Sequence, residues 1–471
     1  MNKKQTKIIA TIGPASDTPE IIEELINLGV NIFRFNFKHS DLAWHKERLQ
    51  RVNDASTKLN VNIATLLDLQ GPEIRLVLET ESIDVKENEK IVLGKGGISF
   101  TNPEIIDLLE GGQKVLADDG NFEFSIIKEN GKIYLLSKTS GVLLNKKAIN
   151  IVGLDFDFPV IHETDRQGLM LAKEMHVNFI ALSFVRNEND LKILKQEMEK
   201  IDLDAKIVAK IETQKAILNI DKIIKEADAI MIARGDLGVE MPAEEVPFYQ
   251  KEIIKKCIQA GIPVITATQM LESMTKIKIP TRAEVSDVAN AIYDFTDTIM
   301  LSAETASGKY PKEAVSVMTK IATFNEEKNR VLDIRNIFEY ELLDQSQMVC
   351  DSAFNLYKAL KTKNEKVKGF IVFTHTGKTA RMLSRYRPHV PIFAFCPSES
   401  LTKQMTISFG VYPIFQQSLK QKSEIVKEDI KDALNLLIES DLAKEKDTFI
   451  VLHGDYWTSE TGTSTIRLIT I

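Results

Sequence analysis

Two short stretches of the chain end in side chains that suit a metal-assisted reaction on an anion. AKIVAKIE ends with Lys210 and Glu212, which are two residues apart and therefore share one face of an extended strand. The apolar stretch DAIMIA is followed by Arg234, Gly235 and Asp236. If these strands are neighbours, two carboxylates, a lysine and a glycine-rich turn meet at one end of a sheet. Such a group can hold a divalent cation together with an anionic substrate.

The composition is typical of a globular enzyme rather than of a nucleic-acid-binding or membrane protein. The chain has 471 residues, of which 44% are hydrophobic and 27% charged, and its net charge is −7. This length predicts about three domains. Cys257, Cys350 and Cys396 are too far apart to indicate a disulfide framework or a zinc site. With no signal-peptide core and no bilayer-length apolar run, we expect a cytoplasmic enzyme.

Strand and helix patterns alternate along most of the chain. Eight apolar strands are separated by segments with helical periodicity, and eight is the number that closes a parallel (β/α)8 barrel. The predicted strands are 7–12, 30–35, 61–67, 177–184, 205–211, 228–233, 262–267 and 297–302. The predicted helices include 18–28, 42–59, 162–176, 188–201, 214–226, 244–260 and 281–293. We therefore predict an α/β fold built on a TIM barrel.

Each predicted barrel strand ends in polar side chains. In chain order these are Thr11, Arg34 with Asn36, Asp68, Ser183, Lys210 with Glu212, Arg234 with Asp236, Thr268, and Ser302 with Glu304. The carboxyl ends of the strands line the active site of a (β/α)8 barrel. The plain alternative is surface charge at unrelated strand ends, but packing alone does not explain why all eight predicted strands end in polar side chains.

Two further units interrupt and follow the barrel. From about residue 73 to 160 the chain has short strand-like runs and many glycines, and Asn130-Gly131 is a strong hairpin signal. We interpret this segment as a small β-barrel lid inserted between two barrel strands. Residues 335–471 predict a separate α/β domain. The predicted domains are therefore the barrel (1–72 and 161–334), the lid (73–160) and the C-terminal domain (335–471).

Long motifs along the whole chain resemble those of the pyruvate kinase family. They are KIIATIGPAS (7–16), RFNFKHS (34–40), LDLQGPEIR (67–75), ADDG (117–120), KIE (210–212), MIARGDLGVE (231–240), ITATQMLESM (265–274), PTRAEVSDVANAI (280–292) and MLSAETASGKYP (300–311). The resemblance implies phosphoryl transfer from phosphoenolpyruvate to ADP, giving pyruvate and ATP in the last step of glycolysis. It also implies Mg²⁺ or Mn²⁺, a C-terminal regulatory domain and a homotetramer.

The resemblance assigns the reacting groups to the strand ends. Glu212 and Asp236 match the family's divalent-metal ligands, and hard carboxylate oxygens suit Mg²⁺. Lys210 matches the lysine between the transferring phosphoryl group and the developing enolate oxygen. Arg34 matches the phosphate-binding arginine, for which a rigid fork of donors is well suited. Charge spread over phosphoryl oxygens makes such catalysis a matter of positioning and cationic stabilisation.

The same resemblance implies a site for the substrate carboxylate. Backbone N–H groups of Gly235 and Asp236 would hold it at a helix start, together with the Thr268 hydroxyl. Thr268 and Ser302 would line the face on which the enolate is protonated. Which group donates that proton is left open by the sequence.

Four residues match family positions near the ADP phosphates. They are Asn36, His39, Arg75 and Lys147. Lys147 lies near the end of the inserted unit, so closure of this lid would bring a lysine to the phosphates and exclude water. The motif KKAINIVG departs from the family's Lys-Gly-Val-Asn-Leu-Pro-Gly at Ala148 and Val152. For His39, a structural hydrogen bond within its loop is the alternative.

The site of the family's monovalent cation departs from the usual pattern. Most members hold K⁺ with residues that correspond here to Asn36, Asp68 and the backbone of Leu69, but a further serine ligand is Lys38 in this chain. We hypothesise that the Lys38 ammonium replaces the ion, because both charges together would repel in a low-dielectric pocket. The alternative is that K⁺ binds and Lys38 points into solvent. Other markers disagree, because K⁺-independent members usually carry lysine in place of Glu73, whereas Leu69, Gln70 and Leu76 resemble the residues of those members.

The loop after the predicted strand 367–373 resembles the family's effector loop. A nucleotide-binding P-loop would need a glycine where Val372 stands. Instead, backbone N–H groups and threonine hydroxyls would cradle a sugar phosphate. The residues of this loop are Thr374, Thr376, Gly377, Lys378 and Thr379. The facing segment 454–464 has Asp455 and Glu460 but no basic residue, so a bisphosphate would be repelled, and a monophosphate or no effector are both open.

Two other functions fit part of this pattern. A metal-dependent lyase or aldolase that acts through a pyruvate enolate would use similar carboxylates and an arginine. It would have no need of a lid carrying Lys147. An inactive homologue that binds metabolites would be expected to lose residues such as Lys210 or Glu212, and both are present.

Overall fold

Eight parallel strands form a closed barrel in the computed structural model, as the sequence predicted. The structure describes residues 4–71, 74–118, 120–153, 159–329, 334–338, 340–421, 424–454 and 462–471. The strands follow one another around the barrel in chain order, and the last pairs with the first. Their bounds are Lys7–Thr11, Ile32–Asn36, Ala64–Asp68, Phe179–Leu182, Lys206–Ile211, Ala229–Ala233, Val264–Ala267 and Thr298–Leu301.

The barrel strands are buried on both faces, which explains their continuous apolar runs. Alternate residues point in opposite directions, so Ile9 lies in the cluster inside the barrel while Ile8 packs in the layer against the helices. Ile407 of the C-terminal domain joins the inner cluster. Its carbonyl oxygen accepts a hydrogen bond of 2.8 Å from Thr298 Oγ1. The C-terminal domain therefore closes the barrel floor, at the amino ends of the strands.

The helices around the barrel begin and end at the residues that local chemistry predicts. Thr18 accepts a hydrogen bond from the Ile21 N–H at the start of the first helix, and Gly29 ends it with φ 113°. The described helices of this domain are Pro19–Leu28, Leu42–Leu59, Glu163–Glu174, Glu188–Lys200, Gln214–Leu218, Ile220–Glu226, Arg234–Glu240, Val246–Ala260, Arg282–Tyr293, Ala303–Ala306 and Pro311–Lys328, with a 3-10 helix at Glu272–Thr275. In the described part of the chain, none of the helices has the length and apolar character needed to cross a bilayer.

Two predictions of local structure need correction. The predicted helix 214–226 is divided at Asn219, whose backbone leaves helical geometry and whose side-chain amide donates to the Arg186 carbonyl at 3.1 Å. The segment interpreted as a glycine-rich turn after the sixth strand is the start of a helix, Arg234–Glu240. Glycine disfavours helix interiors, but contacts with neighbouring loops override that weak preference here.

The inserted unit is antiparallel, and its hairpin lies where the sequence predicted it. Glu129 pairs with Lys132 across Asn130 and Gly131, which have φ of 51° and 73°. In the described residues the unit consists of a seven-stranded sheet and a separate two-stranded ribbon. Its strands are Ile74–Val77, Ser82–Val85, Lys90–Leu93, Ser99–Phe100, Lys114–Ala117, Phe122–Glu129, Lys132–Ser137, Gly141–Leu144 and Ala148–Ile151, with a 3-10 helix at Pro103–Leu108.

The C-terminal domain is a five-stranded sheet covered by helices. In spatial order its strands are Val411–Phe415, Ile392–Cys396, Val367–Phe373, Thr448–His453 and Thr465–Thr470. Only the last of these pairs is antiparallel. The helices are Gln345–Thr362, Lys378–Ser384, Glu399–Gln404 and Lys427–Glu439, with 3-10 turns at Ile334–Asn336, Met405–Ile407 and Gln417–Gln421. The exact domain boundaries at residues 72, 160 and 334 stay predictions.

A buried ion pair joins the barrel floor to the C-terminal domain. Asp297 Oδ2 lies 2.8 Å from Arg387 Nη2 and also accepts a hydrogen bond from the Val264 N–H. Its Oδ1 accepts from the Phe409 N–H at 2.9 Å. Because both oxygens are used and both side chains are buried, this contact fixes the orientation of the C-terminal domain against the barrel.

Candidate active site

Asp68 is the centre of a buried charge cluster at the carboxyl ends of the strands. Its Oδ2 lies 2.7 Å from Arg34 Nε, and its Oδ1 lies 3.2 Å from Lys210 Nζ. Burial alone would raise the pKa of Asp68, but the charges of Lys210 and Arg34 hold it below its usual value. Asp68 is therefore ionised and holds both cations in place. From sequence it was predicted only as a ligand for K⁺.

Lys210 contacts three side chains at the ends of three different strands. Its ammonium lies 2.8 Å from Ser183 Oγ and 2.9 Å from Glu212 Oε1, in addition to Asp68. Burial would lower the pKa of Lys210, but the negative charges of Asp68, Glu212 and Asp236 outweigh it and raise the pKa. The side chain is therefore a permanent positive charge. Ser183, to which the sequence gave no role, also donates to the Leu69 carbonyl oxygen at 2.9 Å.

Glu212 lies on the same face of its strand as Lys210, as the two-residue spacing predicted. The pKa of Glu212 is raised to about 7, because burial and the charge of Asp236 together outweigh the lowering effect of Lys210. The pKa of Lys210 rises because its ammonium faces three carboxylates, whereas burial is the largest cause of the rise at Glu212. The negative charge of Glu212 is thus incompletely compensated.

The two predicted metal ligands fit a divalent cation that shares its coordination with a substrate. Glu212 is buried, its Oε2 accepts from the Phe184 N–H at 2.6 Å, and the half-buried Asp236 is close enough to shift its pKa. Within the described ranges, no three His, Cys, Asp or Glu side chains are grouped to hold a metal ion. A bound Mg²⁺ would therefore take its remaining oxygens from substrate and water, which is usual for this ion.

Thr268 is held in an uncommon backbone conformation at the end of the seventh strand. Thr268 and Gln269 have φ of 65° and 54°, and such left-handed residues cost about 1–3 kcal/mol each. Arg234 stabilises them by donating to the Thr268 carbonyl at 2.7 Å and the Gln269 carbonyl at 3.3 Å, while its fork pairs with Asp287. This role of Arg234 was not predicted.

The three groups predicted to bind the substrate carboxylate lie together. The Gly235 N–H donates to Thr268 Oγ1 at 2.7 Å, and this hydroxyl donates to the Ala267 carbonyl. Asp236 follows in the first turn of the same helix, where backbone N–H groups have no partner within the helix. In this structure the Gly235 N–H is occupied by the hydroxyl, so a bound carboxylate would have to share or displace that contact.

Ser302 lies at the end of the last barrel strand, with its hydroxyl turned inward. Its Oγ is buried and has no hydrogen-bond partner in the described part of the chain. Glu304 accepts from the Ser302 N–H at 2.7 Å and from the Leu271 N–H at 3.0 Å. The fully buried Glu304 thus fixes the last strand end to the loop that follows Thr268.

The residues predicted to bind ADP lie on two different units. Asn36 ends the second barrel strand, and its Oδ1 accepts from the Lys38 N–H at 3.3 Å. Lys38 and His39 are exposed, and the His39 carbonyl lies 2.7 Å from the ring nitrogen of the buried His45. Thus His45 supports this loop, a role the sequence analysis missed. Glu73, which was considered with Lys38, lies outside the described residues.

Arg75 and Lys147 lie on the inserted unit. The Arg75 guanidinium donates to the Lys146 carbonyl at 2.8 Å, and Lys147 forms an ion pair of 2.5 Å with Asp118. The Asn150 side chain donates to Glu240 Oε1 at 2.7 Å. This contact connects the strand that follows Lys147 to the helix that carries Asp236.

The predicted effector loop uses several of its polar groups internally. The Gly377 N–H donates to Thr374 Oγ1 at 3.0 Å, the hydroxyls of Thr379 and Thr463 are 2.6 Å apart, and Lys378 pairs with Asp344. Thr376 is exposed. Asp455 and Glu460, predicted to face this loop, lie outside the described residues. Effector binding here stays a prediction.

Comparisons with known proteins agree with this geometry. The family model described as "Pyruvate kinase, barrel domain" matches residues 3–315, and the model described as "Pyruvate kinase, alpha/beta domain" matches residues 349–469. The chain belongs to the pyruvate kinase family. It is therefore a phosphotransferase, and the family reaction transfers a phosphoryl group from phosphoenolpyruvate to ADP, which yields pyruvate and ATP.

Individual relatives show the extent of the similarity. The pyruvate kinase of Geobacillus stearothermophilus is 39% identical over 464 residues, covering 96% of this chain and 78% of the relative. That of Staphylococcus epidermidis is 38% identical over 480 residues, covering 99% of this chain and 80% of the relative. A crystal structure of a pyruvate kinase from Cryptosporidium parvum superposes with a TM-score of 0.90 at 31% identity, covering 99% and 96% of the two chains.

The conformation of Thr268 should depend on the arginine fork of Arg234. We expect Arg234→Lys to lower kcat by about tenfold to a hundredfold, because a single ammonium cannot hold Asp287 and two carbonyls together and small displacements of reacting groups are costly. Steady-state kinetics of pyruvate formation measure the effect. Arg166→Lys, on an outer helix, is the matched control and should behave as the unaltered enzyme. Equal kcat values for Arg234→Lys and the control would show that the fork does not position Thr268.

Proposed function

We propose that Arg34, Lys210, Glu212 and Asp236 carry out the phosphoryl transfer. The observation that supports this most directly is the Lys210 ammonium, kept charged by Asp68 and Glu212 at 3.2 and 2.9 Å. A fixed positive charge in a buried site stabilises negative charge that develops on a migrating phosphoryl group. The proposed place of action is the cytoplasm.

Arg34 and Lys210 bind the phosphoryl group from prearranged positions. Arg34 donates hydrogen bonds from Nε to Asp68 and from Nη1 to Thr11. Among the described contacts Nη2 has no partner, so it is the nitrogen that would donate to a phosphate oxygen. Lys210 stabilises the transferring group and the enolate oxygen that is left behind. Glu212 and Asp236 would hold Mg²⁺ or Mn²⁺, which would neutralise charge on the phosphoryl oxygens.

The substrate carboxylate is proposed to bind at the start of the helix Arg234–Glu240. Gly235 and Asp236 supply backbone N–H groups, and Thr268 supplies its hydroxyl. Thr268 and Ser302 line the face on which the enolate is protonated. The buried and unpartnered Ser302 Oγ supports this placement, because a polar atom buried among the described residues without a partner is costly and suits a bound water.

ADP is proposed to bind between the barrel and the inserted unit, through Asn36, His39, Arg75 and Lys147. The contact between Asn150 and Glu240 supports this, because it connects the strand after Lys147 to the helix that carries Asp236. Closure of the unit over the nucleotide would exclude water from the transfer. Breaking the ion pair between Lys147 and Asp118 would release the lysine for the phosphates.

Replacement of Lys210 tests the mechanism. We expect Lys210→Met to reduce kcat by at least a hundredfold to a thousandfold, the usual effect of removing one stabilising group from a transition state. Pyruvate formation is measured with and without ADP. Lys206→Met alters the same strand at its opposite end and should retain normal turnover. Undiminished turnover in Lys210→Met would rule out the mechanism, and pyruvate formation without ADP would indicate a lyase instead.

We also propose that Lys38 takes the place of K⁺. Asn36 and Asp68 are opposite each other in the pairing of their strands, and Asp68 already contacts two cations, Arg34 and Lys210. A further ion beside them would add repulsion in a buried site. The Lys38 side chain is exposed in this structure, so it would have to turn inward when substrate binds.

Exchange of the monovalent cation tests this proposal. The unaltered enzyme should keep most of its activity when tetramethylammonium, which is too large for an ion site, replaces K⁺. Lys38→Ser should lose activity in tetramethylammonium and regain it in K⁺, because a hydroxyl can coordinate the ion. Lys46→Ser, on the neighbouring helix, is the control for a lost surface charge. Loss of most activity by the unaltered enzyme in tetramethylammonium would reject the proposal.

A homotetramer is proposed from two exposed apolar surfaces. One lies on the barrel helices, where Phe324 is 60% exposed and the next residue, Asn325, accepts a hydrogen bond from the exposed Tyr293. The other lies on the C-terminal domain, where Leu468 is on the edge strand Thr465–Thr470 of the described sheet and Leu343 is 75% exposed. Exposed apolar surface and free strand edges favour association. Two self-complementary surfaces on one chain generate a closed tetramer.

Sedimentation of interface variants tests the assembly. We expect the unaltered protein to sediment as a tetramer, and Phe324→Asp and Leu468→Asp each to yield dimers, because each substitution buries a charge in one interface only. Leu218→Asp, at an exposed leucine elsewhere on the barrel, should leave the tetramer intact. A monomeric unaltered protein would contradict the proposal.

If a sugar-phosphate effector binds, we propose that it is a monophosphate and that it binds at the loop 374–379. The internal use of the Thr374 and Thr379 hydroxyls means that a ligand would compete with existing hydrogen bonds. Rates at subsaturating phosphoenolpyruvate, with and without sugar monophosphates, are the measurement, and unchanged rates would remove the effector.

A further inference from the structure

Asp165 is a fully buried carboxylate in the first turn of the helix Glu163–Glu174, just after the chain returns from the inserted unit. Its two oxygens accept hydrogen bonds from different stretches of backbone. Oδ2 accepts from the His162 N–H at 3.0 Å, and Oδ1 accepts from the Gln70 N–H, also at 3.0 Å. Because these two donors lie on opposite sides of the inserted unit, one carboxylate joins the two segments that connect this unit to the barrel.

The segment that leaves the barrel is held at consecutive residues. The Leu69 N–H donates to the Ala181 carbonyl at 3.0 Å, and the Leu69 carbonyl accepts from Ser183 Oγ at 2.9 Å. Gly71 has a φ of 66°, and a Cβ at this position would lie 3.0 Å from the Ser183 carbonyl oxygen. Glycine accommodates both the left-handed conformation and the close approach. This segment therefore lies against the strand end whose Ser183 hydroxyl contacts Lys210.

The segment that returns to the barrel is held by apolar packing. Val160 and Ile161 are 8% and 5% exposed, and they belong to the apolar layer between the barrel strands and the helices. His162 comes next, and its N–H is the group that Asp165 binds. Both connecting segments are thus fixed to the barrel, and Asp165 is the point at which they are joined to each other.

Backbone N–H groups are the donors to Asp165 in the described part of the chain. The neighbouring Arg166 pairs with Glu163 at 3.6 Å and with Glu197 at 3.2 Å instead. A buried carboxylate is unfavourable unless its oxygens accept hydrogen bonds, and the start of a helix adds partial positive charge. Separation of the two segments would leave one of these oxygens unsatisfied in the interior, which is costly. The contact therefore resists such a separation.

We propose that Asp165 fixes the pivot on which the inserted unit closes, and that it thereby positions Arg75 and Lys147 for ADP. The hinges of closing units are short segments at the ends of elements, and they determine where the moving unit arrives. Asp165 acts through the backbone of both segments and contacts no substrate, so it is a positioning residue. This role rests on the proposed binding of ADP by the inserted unit, and it adds the part of the barrel against which that unit turns.

Replacement of one oxygen of Asp165 tests this role. In Asp165→Asn an amide nitrogen faces a backbone donor, so either Gln70 or His162 loses its partner. We expect KM for ADP to rise about tenfold, because the competent closed state is less populated, and KM for phosphoenolpyruvate to change by less than about twofold. Steady-state kinetics with each substrate varied in turn measure this difference.

Asp429→Asn is the matched control. Asp429 is 1% exposed, lies in the first turn of the helix Lys427–Glu439 and accepts from the Val426 N–H at 2.9 Å, but it belongs to the C-terminal domain. Its replacement should lower the melting temperature as Asp165→Asn does and leave both KM values unchanged. The same KM for ADP in the two variants would overturn the role of Asp165.

Lys147→Met separates this role from the proposed nucleotide site. It should raise KM for ADP without altering the pivot. An unchanged KM for ADP in Lys147→Met would refute the nucleotide site, and hydrogen exchange would then decide whether the pivot exists.

Hydrogen–deuterium exchange of the unaltered protein tests the pivot independently of how the variants fold. The amides of Gln70 and His162 should be strongly protected both without and with Mg²⁺ and ADP, because a pivot stays fixed while the unit moves. In Asp165→Asn at least one of these amides should exchange about tenfold faster or more. Rapid exchange of both amides in the unaltered protein, or protection that appears only with ADP bound, would overturn the proposal.

Discussion

The active end of the barrel depends on one buried carboxylate, that of Asp68, which binds two cations from different strands. Arg34 comes from the second strand and Lys210 from the fifth. These two cations would repel each other if the Asp68 carboxylate did not contact both. A buried carboxylate is costly by itself, but here its charge is compensated twice. The arrangement fixes the positions of the two groups that are proposed to meet the phosphoryl group, before any substrate arrives. Catalysis by positioned charge requires this prearrangement.

Loops around this cluster are fixed by side chains that do not touch the substrate in the proposed mechanism. Arg234 holds the left-handed backbone at Thr268, and Glu304 holds the end of the eighth strand to the loop after the seventh. Left-handed residues persist only where the surroundings determine them strongly. The barrel therefore positions its reacting groups through a second set of polar contacts between neighbouring strand ends.

The opposite end of the barrel serves a structural purpose and has a charged contact of its own. There Asp297 pairs with Arg387, and the C-terminal domain covers the floor with Ile407. Arg381 and Arg385 lie at the same junction without a carboxylate among the described residues.

Most of the fold and the placement of several site residues could be predicted from the sequence. Continuous apolar runs, capping residues such as Thr18 and Gly29, and the Asn130-Gly131 turn are local signals, so the eight strands, most of the helices between them and the hairpin were predicted correctly. The spacing of Lys210 and Glu212 also fixed their common face. The break at Asn219 and the helix Arg234–Glu240 were missed, because contacts with distant residues override local preference there.

The sequence by itself determined which chemical groups end each strand, since those positions follow from periodicity and from motifs that are continuous in the chain. Only the tertiary structure decided that Asp68 binds Arg34 and Lys210, that Arg234 supports Thr268, and that Asn150 meets Glu240. It also decided that the arginines after the loop 374–379 face the barrel floor. The physical reason is that each of these contacts joins residues far apart in the chain, and barrel closure and domain packing alone determine their distances.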